Sequence, residues 1–190
     1  MGAKENLKQL IKMFSSINVA DLDKVINCFH SRSVKKNTNL LSEGEVAKEF
    51  YYINTGCIRT YFITKQGHEK TRYIMIEPSI GTALTSFISQ KPSFEFVDAL
   101  EDTELLVMNR NDFFRLVDEV PSWKDFYLKI MEMAYSFQNA KIESLVTLSA
   151  KQRYEQLFKM HPKLIRRISN KVLASYLDIT QETLSRLKSK

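Results

Sequence analysis

Apolar residues at the start of the chain recur at three- and four-residue intervals. Leu7, Leu10, Ile11 and Phe14 share one stripe, which predicts helix across residues 3–29. The rhythm then changes. EFYYINT, CIRTYFITK and HEKTRYIMI are rich in aromatic and β-branched residues, which suit a pleated strand. Four of the five glycines, Gly44, Gly56, Gly67 and Gly81, stand at intervals of 12, 11 and 14 residues around these runs, and none follows Gly81. That punctuation predicts consecutive short antiparallel strands joined by turns. FEFVDALEDTELLVMNR alternates weakly and reads as further strand. NDFFRLVDEVP reads as a short helix ended by Pro121.

Beyond Pro121 the helical period returns. Trp123, Phe126, Tyr127, Ile130, Met133, Ala134, Phe137, Leu145 and Leu148 repeat at three and four residues, with no Gly or Pro before Pro162. A helix of about 27 residues, roughly 40 Å long, is predicted. Its apolar spacing stays near 3.5, which favours pairing with a partner helix over packing on the chain's own strands. Ser144 and Lys141 interrupt this seam.

The last stretch, VLASYLDITQETLSRLKSK, carries a tighter pattern. Leu173, Leu177, Leu184 and Leu187 supply the inward faces of two short helices, with Ala174 and Ile179 between them. A larger side chain than Ala174 would force the helices apart. Asp178 falls at the turn, where a positive φ is needed and Asp is tolerated. Thr180 suits the N-cap of the second helix. This is the spacing of a helix-turn-helix. Gln181, Glu182, Ser185, Arg186 and Lys188 fall on the face away from Leu184 and Leu187. Gln can pair with adenine, Glu can accept from the cytosine amino group, and Arg can bridge both guanine acceptors. Thr183, Ser185 and Lys188 are candidates for phosphate contacts.

Charge sharpens this reading. The chain carries +6 overall, yet residues 151–190 hold ten Lys/Arg against three Asp/Glu, a net of +7, which leaves about −1 for residues 1–150. A basic surplus beside a helix pair points to a phosphate-rich partner. Arg166, Arg167 and Lys171, just ahead of the first helix of the pair, are assigned to the DNA backbone. Three parts follow: residues 1–120 as a strand-rich domain, 121–149 as the long helix and 150–190 as the helix-turn-helix domain. At 44% hydrophobic and 26% charged residues the chain has an ordinary globular balance. No apolar run reaches the roughly 18–20 residues of a membrane span. MGAKENLKQLIKMF is amphipathic rather than a signal peptide, and Asn6 stands where a myristoylation motif needs Ser or Thr. The two cysteines, Cys28 and Cys57, fit a reduced, cytoplasmic chain.

Together these segments resemble the Crp/Fnr family of bacterial transcription regulators, especially its short, divergent members. LASYLDITQETLSR matches the family segment LAxxLGIxxETLSR with Asp178 in place of glycine, and ALEDTELLVM at 99–108 resembles the strand after the family's phosphate cassette. The resemblance implies an α+β fold: a cyclic-nucleotide-binding-like β-roll of jelly-roll type, a dimerisation helix and a C-terminal helix-turn-helix. It also implies a homodimer on a near-palindromic site, base reading by Gln181, Glu182 and Arg186, contact with RNA polymerase as a further partner, and an effector pocket around Gly81, Thr82, Ala83 and Ser93.

The departures are specific. The family's Gly-Glu pair reads Gly81-Thr82, and no arginine occurs between Arg72 and Arg110 to hold a cyclic phosphate. Cyclic AMP in the usual manner is therefore not expected. Lys91 offers a point charge, and Phe87, Phe94 and Phe96 are candidates for filling the pocket. Two cysteines do not suffice for a four-cysteine cluster, and His30, His68 and His161 have no haem-marking spacing. No cofactor is expected. The β-hairpin wing of many members is missing from the sequence, and the KLIRR cations are assigned its phosphate contacts, a prematurely ended sequence being the competing account. A second class of function, a ligand-binding module acting through protein partners, predicts no affinity for DNA. No nucleophile–base pair, metal spacing or phosphate-cradling loop points to an enzyme.

Overall fold

The computed structural model describes residues 2–189. Two helices open the chain, α1 (Ala3–Phe14) and α2 (Val19–Asn27). The single helical stretch expected there is thus divided. Ser15 is extended, and the Asn18 side chain accepts from the Asp21 N–H at 2.9 Å, capping a new helix.

Eight strands follow: β1 (His30–Val34), β2 (Asn39–Leu41), β3 (Glu49–Thr55), β4 (Cys57–Ile63), β5 (Glu69–Ile76), β6 (Ser79–Gly81), β7 (Phe96–Ala99) and β8 (Thr103–Asn109). They form two antiparallel four-stranded sheets, ordered β1-β8-β3-β6 and β2-β7-β4-β5. The runs EFYYINT, CIRTYFI and EKTRYIMI are β3, β4 and β5, as the glycine punctuation predicts. Gly56 makes the β3–β4 turn at φ +100°, and a Cβ there would lie 2.7 Å from Thr103 Cα. Only glycine fits both the angle and the space. A short helix, α3 (Leu84–Ser89), lies between β6 and β7.

After the roll come α4 (Arg110–Glu119) and α5 (Pro121–Thr147), the latter of 27 residues. Pro121 opens α5, where its missing N–H costs nothing. Most of the predicted inter-chain seam is intramolecular. Trp123 and Phe126 are fully buried, the Trp123 indole donates to the Phe113 carbonyl at 3.2 Å, and Phe113 meets Phe50 at 4.9 Å between ring centres. Phe137 sits edge-on to Tyr73 at 4.5 Å. A second stripe at seven-residue spacing, Leu128, Tyr135 and Ile142, faces outward with Val146, and Tyr135 is 70% exposed. α5 is apolar on two faces, and the period alone cannot say which one the roll takes.

Four helices complete the chain: α6 (Ala150–Met160), α7 (Pro162–Arg167), α8 (Asn170–Leu177) and α9 (Gln181–Lys188). Ser149 and Gln152 form a capping box that starts α6. Leu157, Leu164, Ile165, Ile168, Leu173, Ala174, Leu177 and Leu184 make a second core, which reaches the roll through Cys57, with Ile74, Ile76 and Leu100 packed against it. Burial pushes the Cys57 thiol up to about 12, so it packs as a small apolar group.

Candidate nucleic-acid interface and ligand cavity

The helix pair is built as its sequence predicts. Asp178 takes the left-handed conformation, φ 54°, and ends α8. Thr180 Oγ1 accepts from the Thr183 N–H at 3.2 Å and starts α9. Leu184 is 0% exposed against α8. With the leucines inward, Gln181, Glu182, Ser185, Arg186 and Lys188 are exposed. Three polar side chains and two cations thus decorate one short helix whose opposite face is anchored. The hydrogen bonding of Glu182 to the start of its own helix, with Thr180 and then Arg186 nearby, holds its carboxyl below the ordinary range. Thr180 and Thr183 are engaged with each other at 3.1 Å, and the Arg186 guanidinium donates to Thr183 Oγ1 at 3.3 Å. Lys188 donates to Asn170 at 2.6 Å.

The cations ahead of α8 divide. Arg166 is exposed and forms no hydrogen bond or ion pair among the described residues. Arg167 points to the roll: it pairs with Glu77 at 2.5 and 2.8 Å and with Glu101. Burial alone would raise the Glu77 carboxyl, but Arg167 and the Gly56 amide hold it low. Lys171 bonds Glu69 at 2.6 Å. The same posture is fixed by Ser175, which accepts from the Thr71 amide at 2.7 Å and donates to the Glu69 carbonyl at 2.9 Å. Lys70 pairs with Asp178 at the turn. α8 therefore docks on β5 through polar groups that sequence reasoning assigned to DNA or left unassigned.

Between the roll and α5 lies a cavity of about 300 Å³. Gly81 and Thr82 of the predicted pocket line it, whereas Ala83 and Ser93 are buried and do not. Ser93 instead donates to the Glu95 carbonyl at 2.9 Å. The aromatic residues expected to fill the space are elsewhere: Phe87 in the main core, Phe96 stacked on Tyr61 at 5.1 Å, Phe94 partly exposed. Arg72, from β5, enters the cavity wall. A search confined to the cassette between Gly81 and Ser93 misses it, because the guanidinium comes from the neighbouring hairpin.

A family model described as cyclic nucleotide-binding domain matches residues 31–120, the span of the roll and α4. The anaerobic regulatory protein of Bacillus subtilis is 25% identical over 169 residues, covering 82% of this chain and 70% of its own length. The fumarate and nitrate reduction regulatory protein of Vibrio cholerae is 25% identical, with coverages of 96% and 76%. The chain is thus similar, over most of its length, to regulators of the Crp/Fnr type. The likeness of fold extends to the full arrangement of roll, long helix and C-terminal helices: the structure of FixK2 from Bradyrhizobium japonicum superposes with a TM-score of 0.73 at 17% identity, covering 85% of this chain and 83% of that one. The Bacillus subtilis and Vibrio cholerae relatives are both named as regulatory proteins. Among the described residues no helix is long and apolar enough to cross a membrane.

Proposed function

We propose that this protein is a sequence-specific DNA-binding regulator of the Crp/Fnr type that acts as a homodimer on a near-palindromic site. One observation carries the reading: α9 presents Gln181, Glu182, Ser185 and Arg186 on its exposed face while Leu184 holds the opposite face in the core. A helix of this width enters the major groove, and these groups match the donors and acceptors displayed there. The outward stripe Leu128, Tyr135, Ile142 and Val146 on α5 supports the dimer, since an apolar row at heptad spacing is the surface that a second copy covers. Cyclic AMP held in the usual way has no place in this reading, because Thr82 stands at the glutamate position and spends its hydroxyl on the Glu49 carbonyl at 2.7 Å.

Selection of bound sequences from random DNA with the full chain tests the proposal. A palindrome whose half-sites lie about one helical turn apart is expected. Arg186→Ala should abolish the preference and leave weak, salt-sensitive binding. An unstructured pool, or full specificity retained by R186A, overturns the assignment.

A further inference from the structure

The walls of the cavity are mainly carbon, with Phe50, Tyr73, Met75, Ile130 and Phe137 among them. Two cations reach it from different elements, Arg72 from β5 and Lys141 from α5. Arg72 Nη1 stands 3.4 Å from Glu95 Oε1, a long ion pair, and that oxygen accepts no hydrogen bond. The Glu95 side chain is only 4% exposed, and burial raises its carboxyl despite the pull of Arg72. An acidic group held toward its neutral form is a poor counter-ion, so the guanidinium fork stays available for a better one.

Lys141 serves two places at once. It lines the cavity, yet its ammonium donates to the Tyr176 carbonyl in the last turn of α8 and lies 3.7 Å from the centre of the Tyr176 ring. It is therefore a direct link between the cavity and the helix-turn-helix.

Polarity limits the occupant. The ribose and base groups of a cyclic nucleotide would face apolar walls, where unpaired polar atoms are costly. One charged end and an apolar body fit walls that are mainly carbon with two cations among them.

We propose that the cavity binds a small molecule with an apolar body and a single carboxylate, held by Arg72 and Lys141, and that binding draws Lys141 off the Tyr176 carbonyl and loosens α8–α9 from the roll. Any effect on DNA rests on the function proposed above; the site itself does not.

The test uses the full chain without DNA, so its failure is separable from failure of the DNA-binding reading. Isothermal titration compares octanoate and indole-3-acetate with octan-1-ol, indole-3-acetamide and cyclic AMP. The carboxylates should bind at least about tenfold more tightly than their neutral counterparts, the scale of a charge-assisted hydrogen bond. Arg72→Gln and Lys141→Gln should each cost octanoate about tenfold and leave octan-1-ol unchanged; Arg72→Lys replaces R72Q if that variant does not fold. Equal affinity for acid and neutral probe, tighter binding of cyclic AMP, or no binding of either carboxylate overturns the ligand class. Hydrogen exchange reads the coupling. Saturating octanoate should speed exchange at the amides of α8 and α9, and K141Q should show that faster exchange without ligand. Unchanged exchange with octanoate bound overturns the coupling.

Discussion

Adjacent arginines of α7 should behave differently on DNA. Arg166 is exposed and unpaired among the described residues, while Arg167 is held by Glu77 and Glu101. Neutralising one phosphate contact flattens the dependence of log K on log salt by about 0.9. In a homodimer each substitution is made twice, so Arg166→Gln should flatten the slope by about 1.8. Between about 50 and 200 mM salt that corresponds to roughly a twelvefold smaller loss of affinity than the unsubstituted protein suffers. Arg167→Gln should leave the slope unchanged and act on stability instead. The side chains of Arg167, Glu77 and Glu101 keep 29%, 28% and 31% exposure. Solvent screening therefore reduces the value of the cluster to about 1–2 kcal/mol, or a few degrees in Tm. Fluorescence anisotropy across a salt series, paired with thermal denaturation, separates the two roles, and a double-mutant cycle with Glu77→Gln should return most of the stability loss as coupling. If R167Q flattens the slope as much as R166Q, the docked posture is not the one that meets DNA, and the two arginines do not divide their roles.

Three further predictions concern the scaffold. Leu184→Ala, at a fully buried position between α8 and α9, should cost about 3 kcal/mol and roughly 6–12 °C in Tm; a loss under 1 °C by calorimetry contradicts the anchoring role. Gly56→Ala combines a φ of +100° with a backbone approach of 2.7 Å, so it should destabilise by at least about 2 kcal/mol in urea denaturation, whereas Gly67→Ala, with open space around it, suffers the strain alone. Lys141 is held down to about 8 by burial, with Asp178 pulling the other way and Arg153 adding to the depression. Its folded value lies below its unfolded one, so the unfolded chain binds more protons between about pH 8 and 10.5 and stability rises across that window. The difference in stability between the native protein and Lys141→Met should therefore grow from pH 7 to pH 10, by no more than about 3 kcal/mol. A flat difference would remove the buried charge from the account.

The turn chemistry of the C-terminal pair could be read because it is local. Asp178 and Thr180 determine a left-handed residue and a cap within three positions, and Leu173, Leu177 and Leu184 need only each other to be buried. The strands β3 to β5 were legible for the same reason, each bounded by a glycine turn. Long-range choices were not. The two apolar stripes of α5 are alike in sequence, and only the aromatic cluster of Phe50, Phe113 and Trp123 determines that the Trp123 face turns inward. Arg72 escaped because a cavity gathers side chains by space, whereas a motif gathers them by order.

The charge surplus shows the same limit from the other side. Seven net positive charges in the last forty residues suggest a uniformly basic DNA-binding half, yet several of those cations are used internally. Arg167 is bound to Glu77 and Glu101, Lys171 to Glu69, and Arg153 to the carbonyls of Leu148 and Leu177 at 2.7 and 3.1 Å. These carboxylates belong to the roll, whose own charge is slightly negative. The acidic and basic halves are therefore complementary faces of one interface before any nucleic acid arrives. Glu69 illustrates the consequence: burial would raise its carboxyl, and Lys171 with Arg59 hold it low, so separating α8 from β5 deprives it of Lys171 and weakens that hold. A ligand that displaces Lys141 must work against this set of ion pairs as well as against one hydrogen bond. Shared loads of this kind make a helix pair move as a unit or not at all.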